Sequence, residues 1–264
     1  MKREEPALRE AEIPYSMVLA MRFCVLLLVV VSFCVELQAQ KSCNFEAKLL
    51  LVPTEVQAAI PLLRATRELR TRIYFYDTPG LDLLSKGLIL RLRQGASSDL
   101  TVKLRPRLGK QFSDPSSGNE RYKCEMEITG GVEKSSYSVE TRYSAGHVPE
   151  TGEDLLHLLS SGQKRLLEDS QIRIDWTKVK QVADIQSTSW TVRAQAPLKK
   201  FSMELWEWPN GRVLEVSTKA APNAGRAAYT ELESLAKDKG LALSAVQQSK
   251  TATALEEMNA VPAR

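Results

Sequence analysis

The chain has 264 residues, with 36 Lys+Arg against 32 Asp+Glu and a formal net charge of +4. The length suits one moderately large domain, and the mild basic excess fits an anionic ligand without demanding nucleic acid. Only two His are present, far from any Cys-His spacing, and no Ser-His-Asp order or Gly-rich phosphate loop stands out, which argues against a structural zinc site, a serine hydrolase and a P-loop nucleotidase.

Residues 1–39 read as a targeting segment. Phe23 to Val35 carries no charge and follows Arg22. The run is shorter than the roughly 20 apolar residues of a bilayer-spanning helix and matches a signal-peptide core, with Ala39 at a plausible cleavage site. An uncleaved membrane anchor is the alternative, and translation starting at Met17 or Met21 would shorten the mixed-charge leader. Export to the periplasm or secretion is therefore expected, with membrane contact only through this segment. Cys24 and Cys34 fall inside it. Cys43 and Cys124 remain, either as one disulfide or as two free thiols.

Residues 44–52 read as a strand. Thr54 is placed to cap a helix that runs to about Arg70, and the aromatic and β-branched run Thr71–Tyr76 is a second strand. Asp77-Thr78-Pro79-Gly80 is a turn, followed by a short helical turn that Gly87 ends. Leu88–Gln94 and Leu100–Arg105 form a hairpin, Pro106–Asn119 is a loop, and Arg121–Ile128 is a strand closed by Gly130-Gly131. Val132–Pro149 suggests a helix or an irregular segment. Residues 152–169 are helical. Strands then return at 172–179, 182–194, 200–208 and 212–218, the last two joined by Pro209-Asn210-Gly211. Residues 225–239 are helical, and the segment 248–264 reads as a mobile polar tail. This order fits an antiparallel sheet with helices outside it, spanning residues 43–247.

One pattern recurs across these strands. Charged residues sit two apart, or at least on one parity: Glu46 and Lys48; Arg91 and Arg93; Lys103 and Arg105; Lys123, Glu125 and Glu127; Glu204; Glu215 and Lys219. Residues i and i+2 of a strand share a face, so each segment sets a charged face opposite an apolar one. Repetition over so many strands points to a closed sheet with a charged interior. Buried charges are costly unless paired or liganded. The basic set Lys48, Arg91, Arg93, Lys103, Arg105 and Lys219 exceeds what these glutamates balance one for one, and a triphosphate would offset the excess. Each contact at ~4 Å is worth roughly 4 kcal/mol before desolvation at an effective dielectric near 20. The carboxylates supply hard oxygen ligands suited to Mg²⁺ or Mn²⁺.

These residues resemble the motifs of the CYTH family, the triphosphate tunnel metalloenzymes. Asn44-Phe45-Glu46-Ala47-Lys48 stands at the family's opening Glu-x-Glu-x-Lys, Tyr74-Phe75-Tyr76-Asp77-Thr78-Pro79 at its aromatic-Asp-Thr-Pro turn, and Leu88–Arg93 at its Leu-x-Leu-Arg-Leu-Arg strand. Thr101-Val102-Lys103, Glu125-Met126-Glu127 and Leu214-Glu215-Val216-Ser217 are similar to its later strands. Each motif alone is weak; their order over residues 43–245 is fairly specific. The resemblance implies an α+β fold, an antiparallel eight-stranded barrel with flanking helices. It implies phosphate contacts from Lys48, Arg91, Arg93 and Lys103, with Arg105 and Lys219 in the same basic set. It makes Glu46 and Glu215 metal ligands, with Glu204 at another acidic position. Lys48, Glu125 and Glu127 become the candidate catalytic residues, the two glutamates positioning water or basic side chains. Two departures stand out: Asn44 replaces the first Glu, and Ser217 stands where many members carry a second carboxylate. A basic residue expected near Ser187–Trp190 is missing, Arg193 being the nearest candidate.

The reading that follows is an exported, metal-dependent hydrolase of a triphosphate-containing substrate, with inorganic triphosphate the plain choice. Nucleotide cyclisation is disfavoured, because an exported enzyme lacks a steady ATP supply. The alternative is a tunnel that binds a polyphosphate or an organic phosphate without turnover. A solvated sheet face whose charges only pair with each other is the non-functional reading.

Overall fold

The computed structural model describes residues 43–106, 110–144, 146–193, 198 and 200–260. The leader expected over residues 1–39 lies outside these. In chain order the elements are β1 (Asn44–Leu51), α1 (Val56–Leu62), β2 (Thr66–Asp77), α2 (Asp82–Ser85), β3 (Leu88–Gln94), β4 (Asp99–Leu104), β5 (Arg121–Thr129) and β6 (Val132–Arg142). They continue as α3 (Gly152–Leu158), α4 (Ser161–Ser170), β7 (Lys180–Arg193), β8 (Lys200–Trp208), β9 (Gly211–Ala220), α5 (Gly225–Asp238) and α6 (Lys250–Ala260).

The strands close into one barrel in the order β1-β5-β6-β4-β3-β2-β7-β8-β9. Every neighbouring pair is antiparallel except β1 and β5, which run parallel from Asn44↔Glu125 to Lys48↔Thr129. The expectation of eight antiparallel strands is thus corrected to a nine-stranded mixed barrel. The strand that sequence patterning missed is β6. Its inward positions include Ser136 and Ser138, too small and polar to announce a strand face, and its hairpin with β5 turns on Gly130 and Gly131 at φ 57° and 74°. Conversely, residues 172–179 form no strand. Ile172, Ile174 and Trp176 lean on the outer core, and a turn closes from Asp175 to Lys178.

Two further boundaries moved. The first helix stops at Leu62, Arg64 enters the left-handed region at φ 52°, and β2 starts at Thr66. Pairing with β7 therefore overrides the helical composition of Thr66–Arg70. Thr54 sits within a 3-10 turn and caps nothing.

Apolar residues form three cores. Outward-facing Ala47, Leu49 and Leu51 of β1 meet Tyr229, Leu232 and Ala236 of α5. On the opposite wall Leu90, Leu92, Val102 and Val139 meet Leu155 and Leu166 of α3 and α4. The third core is inside the barrel. Leu50, Ile89, Trp206 and Val213 share the parity of the lumen charges on their strands, and with Ile73, Phe75 and Ile185 they fill one end of the lumen. This resolves why Trp206 and Trp208 alternate with Glu204: charge occupies one half of the interior and apolar bulk the other.

The segment expected as a mobile tail over 248–264 is ordered as far as the described residues reach, to Ala260. It forms α6, whose Ala254 and Leu255 seal the apolar end. Gln247 docks it by donating to Leu50 O (2.7 Å) and accepting from Leu50 N–H (2.9 Å), where β1 has run past β5. Cys43 and Cys124 form a disulfide with Cα atoms 4.8 Å apart across a sequence separation of 81. A loop of that length stabilises by roughly 4–5 kcal/mol in the chain-entropy model.

Leu255→Ala should cost about 3 kcal/mol, because Leu255 is only 2% exposed within the plug. Denaturant unfolding that shows no loss would disprove the packed helix.

Candidate active site

Alternation along the strands turns their charged residues into a lumen of about 250 Å³, lined by Lys48, Arg91, Arg93, Lys103, Arg105 and Lys219 together with Glu46, Glu125, Glu204 and Glu215. The structure therefore brings together the expected phosphate set and the expected acidic set. It also brings in Lys123 from the same alternation, and three charges that sequence reading left out: Glu140, Asp99 and Lys250. Lys123 and Glu140 pair across β5 and β6 at 2.6 Å, Asp99 pairs with Arg93 at 2.9 Å, and Lys250 enters from α6. Two cations and two carboxylates are added, so the small cationic excess of the expected set persists. Lys250 carried no periodic signal.

Glu127 is the hub of one wall. It accepts from Lys48 (3.0 Å), Arg105 (2.9 Å) and Lys103. Burial opposes its ionisation, but the three cations outweigh it and hold the carboxyl well below its usual range. Burial likewise disfavours the Lys48 ammonium, and Glu127, Glu46 and Glu215 together raise its pKa nonetheless. Lys103 goes the other way: burial lowers its pKa, Glu127 only partly offsets this, and Lys48 and Arg105 add repulsion. Arg105 also donates to Ser249 Oγ at 3.0 Å.

Arg91 and Arg93 line the neighbouring wall from β3. Arg91 donates to Thr101 Oγ1 at 3.1 Å and lies 3.7 Å from Asp99 and 3.9 Å from Glu140. Its buried Nε has no hydrogen-bond partner among the described residues. Burial and the adjacent Arg93 push its pKa down. Arg91 thus lines the lumen with one guanidinium donor unspent.

The acidic residues divide in two. Glu46, Glu125 and Glu127 bring carboxylate oxygens within 4.8 Å of one another. Glu204 and Glu215 pair across β8 and β9 but are held by Lys250, at 2.8 Å for Glu215. Glu204 also accepts from Ser187 (2.7 Å) and from Trp206 Nε1 (2.8 Å), and the Lys250 ammonium lies 4.8 Å from the Trp206 ring. The expected ligand set Glu46, Glu204 and Glu215 is therefore not one cluster. The trio of Glu46, Glu125 and Glu127 suits a hard divalent cation by donor type and charge, provided the lysines on it turn to a bound anion.

Asn44 is exposed at the start of β1, in register with Glu125, and Ser217 lines the lumen with its hydroxyl 2.9 Å from Ser202 Oγ. Arg193 is exposed at the end of β7, so β7 contributes Ser187 rather than a cation.

No protein-family model matches the sequence, and no curated protein matches it. Solved structures do. One is HpAC1 from Hippeastrum, described as an adenylyl cyclase candidate with a dominant triphosphatase activity: 19% identity, TM-score 0.55, over 82% of this chain and 97% of that one. A second is an adenylate cyclase candidate from Bacillus halodurans: 13% identity, TM-score 0.51, over 80% and 97%.

The Glu204–Lys250 contact makes a pH prediction. Burial resists ionisation of Glu204, but Lys250 and the two hydrogen bonds lower its pKa from 4.5 to about 2. A depressed folded-state pKa gives stability that is complete above about pH 4.5 and is lost as pH falls through about 2, on the order of 3 kcal/mol. Acid unfolding of Glu204→Gln should be visibly flatter than wild type across that window; equal slopes would show that Glu204 is not so held. The barrel and its charged lumen place the likeness to the CYTH family at the level of fold.

Proposed function

We propose that the lumen binds the phosphates of a triphosphate-containing substrate and that the protein hydrolyses it with a divalent cation. The observation that carries this is the convergence of Lys48, Arg91, Lys103 and Arg105 on one small lumen, with the buried Arg91 Nε unpartnered. Unpaired guanidinium donors in a desolvated site match phosphate oxygens in charge and geometry. The volume lies below the roughly 300–1,000 Å³ typical of drug-sized ligand sites, which favours the phosphates themselves as the enclosed part.

In this reading Arg91 and Arg93 orient the phosphate chain from β3. Lys48 and Lys103 turn from Glu127 toward its oxygens and offset their charge. Glu46, with Glu125 and Glu127, would hold Mg²⁺ or Mn²⁺, which would supply charge neutralisation at phosphate oxygens and a more acidic water. The lowered pKa values of Glu125 and Glu127 make them weak bases near neutral pH, so their part is to position lysines and water. Water attacks the terminal phosphorus as the bridging P–O bond breaks, giving phosphate and diphosphate from inorganic triphosphate.

A second reading, binding without turnover, is favoured by one observation: Lys250 occupies Glu204 and Glu215, which the family resemblance marks as metal positions. Export is proposed alongside either reading. The disulfide fits an oxidising compartment, and no helix among the described residues is long and apolar enough to cross a membrane.

The test measures tripolyphosphate binding and phosphate release with Mg²⁺, Mn²⁺ and Ca²⁺. Binding with release is expected; binding without release in any metal establishes the second reading, and no binding removes both. Arg91→Lys keeps the charge but loses the planar fork, and should weaken tripolyphosphate binding about tenfold with little change in melting temperature. Unchanged affinity would remove Arg91 from the site.

A further inference from the structure

We propose that the Cys43–Cys124 disulfide is a redox-controlled positioning clamp for the carboxylate trio Glu46, Glu125 and Glu127. The proposal rests on the reading of that trio as the metal-bearing wall.

The trio straddles a single seam. Glu46 comes from β1, and Glu125 and Glu127 come from β5, the one parallel pair of the barrel. Parallel pairing is slightly weaker per residue, and this ladder spans only five residue pairs. Like charges also meet across it, with Glu46 in register with Glu127. Lys48 bridges these two carboxylates at 3.0 Å each, while Lys219 and Lys103 hold Glu125 at 2.6 and 3.8 Å. Those same lysines must turn away if a phosphate is to be bound. Arg105 would then still hold Glu127, but no lysine would bridge Glu46 to the carboxylates of β5 before a cation binds.

The disulfide stands where that spacing is set. Cys43 precedes the first register pair, Asn44↔Glu125, by one residue, and so does Cys124. Cys124 alternates with Lys123 and Glu125, which face the lumen, so the bridge lies on the outer side of the wall. Both cysteines are half-buried there, within reach of a small thiol and outside the lumen. β1 is also held to β9 by seven antiparallel pairs, from Phe45↔Ala220 to Leu51↔Leu214. Losing the bridge therefore loosens the seam, while the five-pair β1/β5 ladder and the β1/β9 pairing keep β1 in the barrel.

The redox step balances with a dithiol as reductant. One of its thiolates attacks a cysteine sulfur, the S–S bond breaks, and the mixed disulfide resolves to the cyclic disulfide of the reductant. Cys43 and Cys124 end as thiols, having gained two electrons and two protons.

The test compares oxidised protein, protein reduced with dithiothreitol, reoxidised protein and the double variant Cys43→Ser/Cys124→Ser, all well below their melting temperatures. Mn²⁺ affinity is read by electron paramagnetic resonance, and metal-free tripolyphosphate affinity by calorimetry. A clamp predicts Mn²⁺ binding at least tenfold weaker in the reduced protein and the variant, full recovery on reoxidation, and faster amide exchange at Glu46 and Glu125. Tripolyphosphate binding without metal should move less than threefold, because Arg91 and Arg93 sit on β3. If the disulfide only stabilises the fold, its loss will lower the melting temperature and leave both affinities unchanged, which overturns the proposal. Equal loss of both affinities overturns it too, since the effect would not be local to the seam. If the oxidised protein binds tripolyphosphate but no Mn²⁺, the metal reading fails and the clamp fails with it. If amide exchange on β1 and β5 is then also the same in both redox states, the clamp is refuted independently of any metal.

Discussion

The structure depends on one constraint: charges placed inside a closed barrel must find partners. Water solvates an exposed carboxylate or ammonium at no structural cost, whereas the lumen offers only other side chains. Glu127 meets this by gathering three cations, and Glu204 by joining Lys250, Ser187 and Trp206. The result is an interior held in tension between pairing with itself and pairing with a ligand. An anion that enters competes with Glu127 for Lys48 and Lys103, so binding must exceed the contacts it replaces. Arg91 is the exception, because part of its guanidinium has no partner to surrender.

A second constraint is that a barrel is open at both ends until something closes it. Here apolar residues of the same inward parity fill one end and α6 seals it. The helix then does more than plug. Its first residue, Lys250, reaches past Trp206 to the two glutamates on β8 and β9, while Ser249 accepts from Arg105. Closure and charge compensation are therefore one feature, and the lumen is left with a charged half bordered by an apolar floor. The opposite concern is lateral. The parallel β1/β5 seam closes the sheet on itself, and a disulfide stands beside it at the level of the carboxylates.

Much of this was legible in the chain. The alternation Glu46-x-Lys48, Arg91-x-Arg93 and Glu125-x-Glu127 fixes which residues face the lumen, because a strand has a side-chain period of two whatever its neighbours are. The hairpin at residues 88–104 and the turn Pro209-Asn210-Gly211 were likewise local, carried by turn residues and flanking apolar runs. The failures were of another kind. β6 presents serines to the lumen and so lacks the contrast that marks a strand; α6 is polar enough to read as a tail; and Thr66–Arg70 has a helical composition that pairing with β7 overrides.

The sequence by itself determined the parity of the charged residues, and with it most of the charged side chains in the lumen, because parity is a property of one strand. Only the tertiary structure decided who pairs with whom. That Glu46 joins Glu125 and Glu127 follows from β1 lying parallel to β5, strands far apart in the chain whose adjacency no local pattern encodes. That Glu204 and Glu215 face an ammonium follows from a helix returning to the barrel after β9 has ended. Facing is local and partnership is not, so the composition of the lumen could be read from the chain and its electrostatics could not.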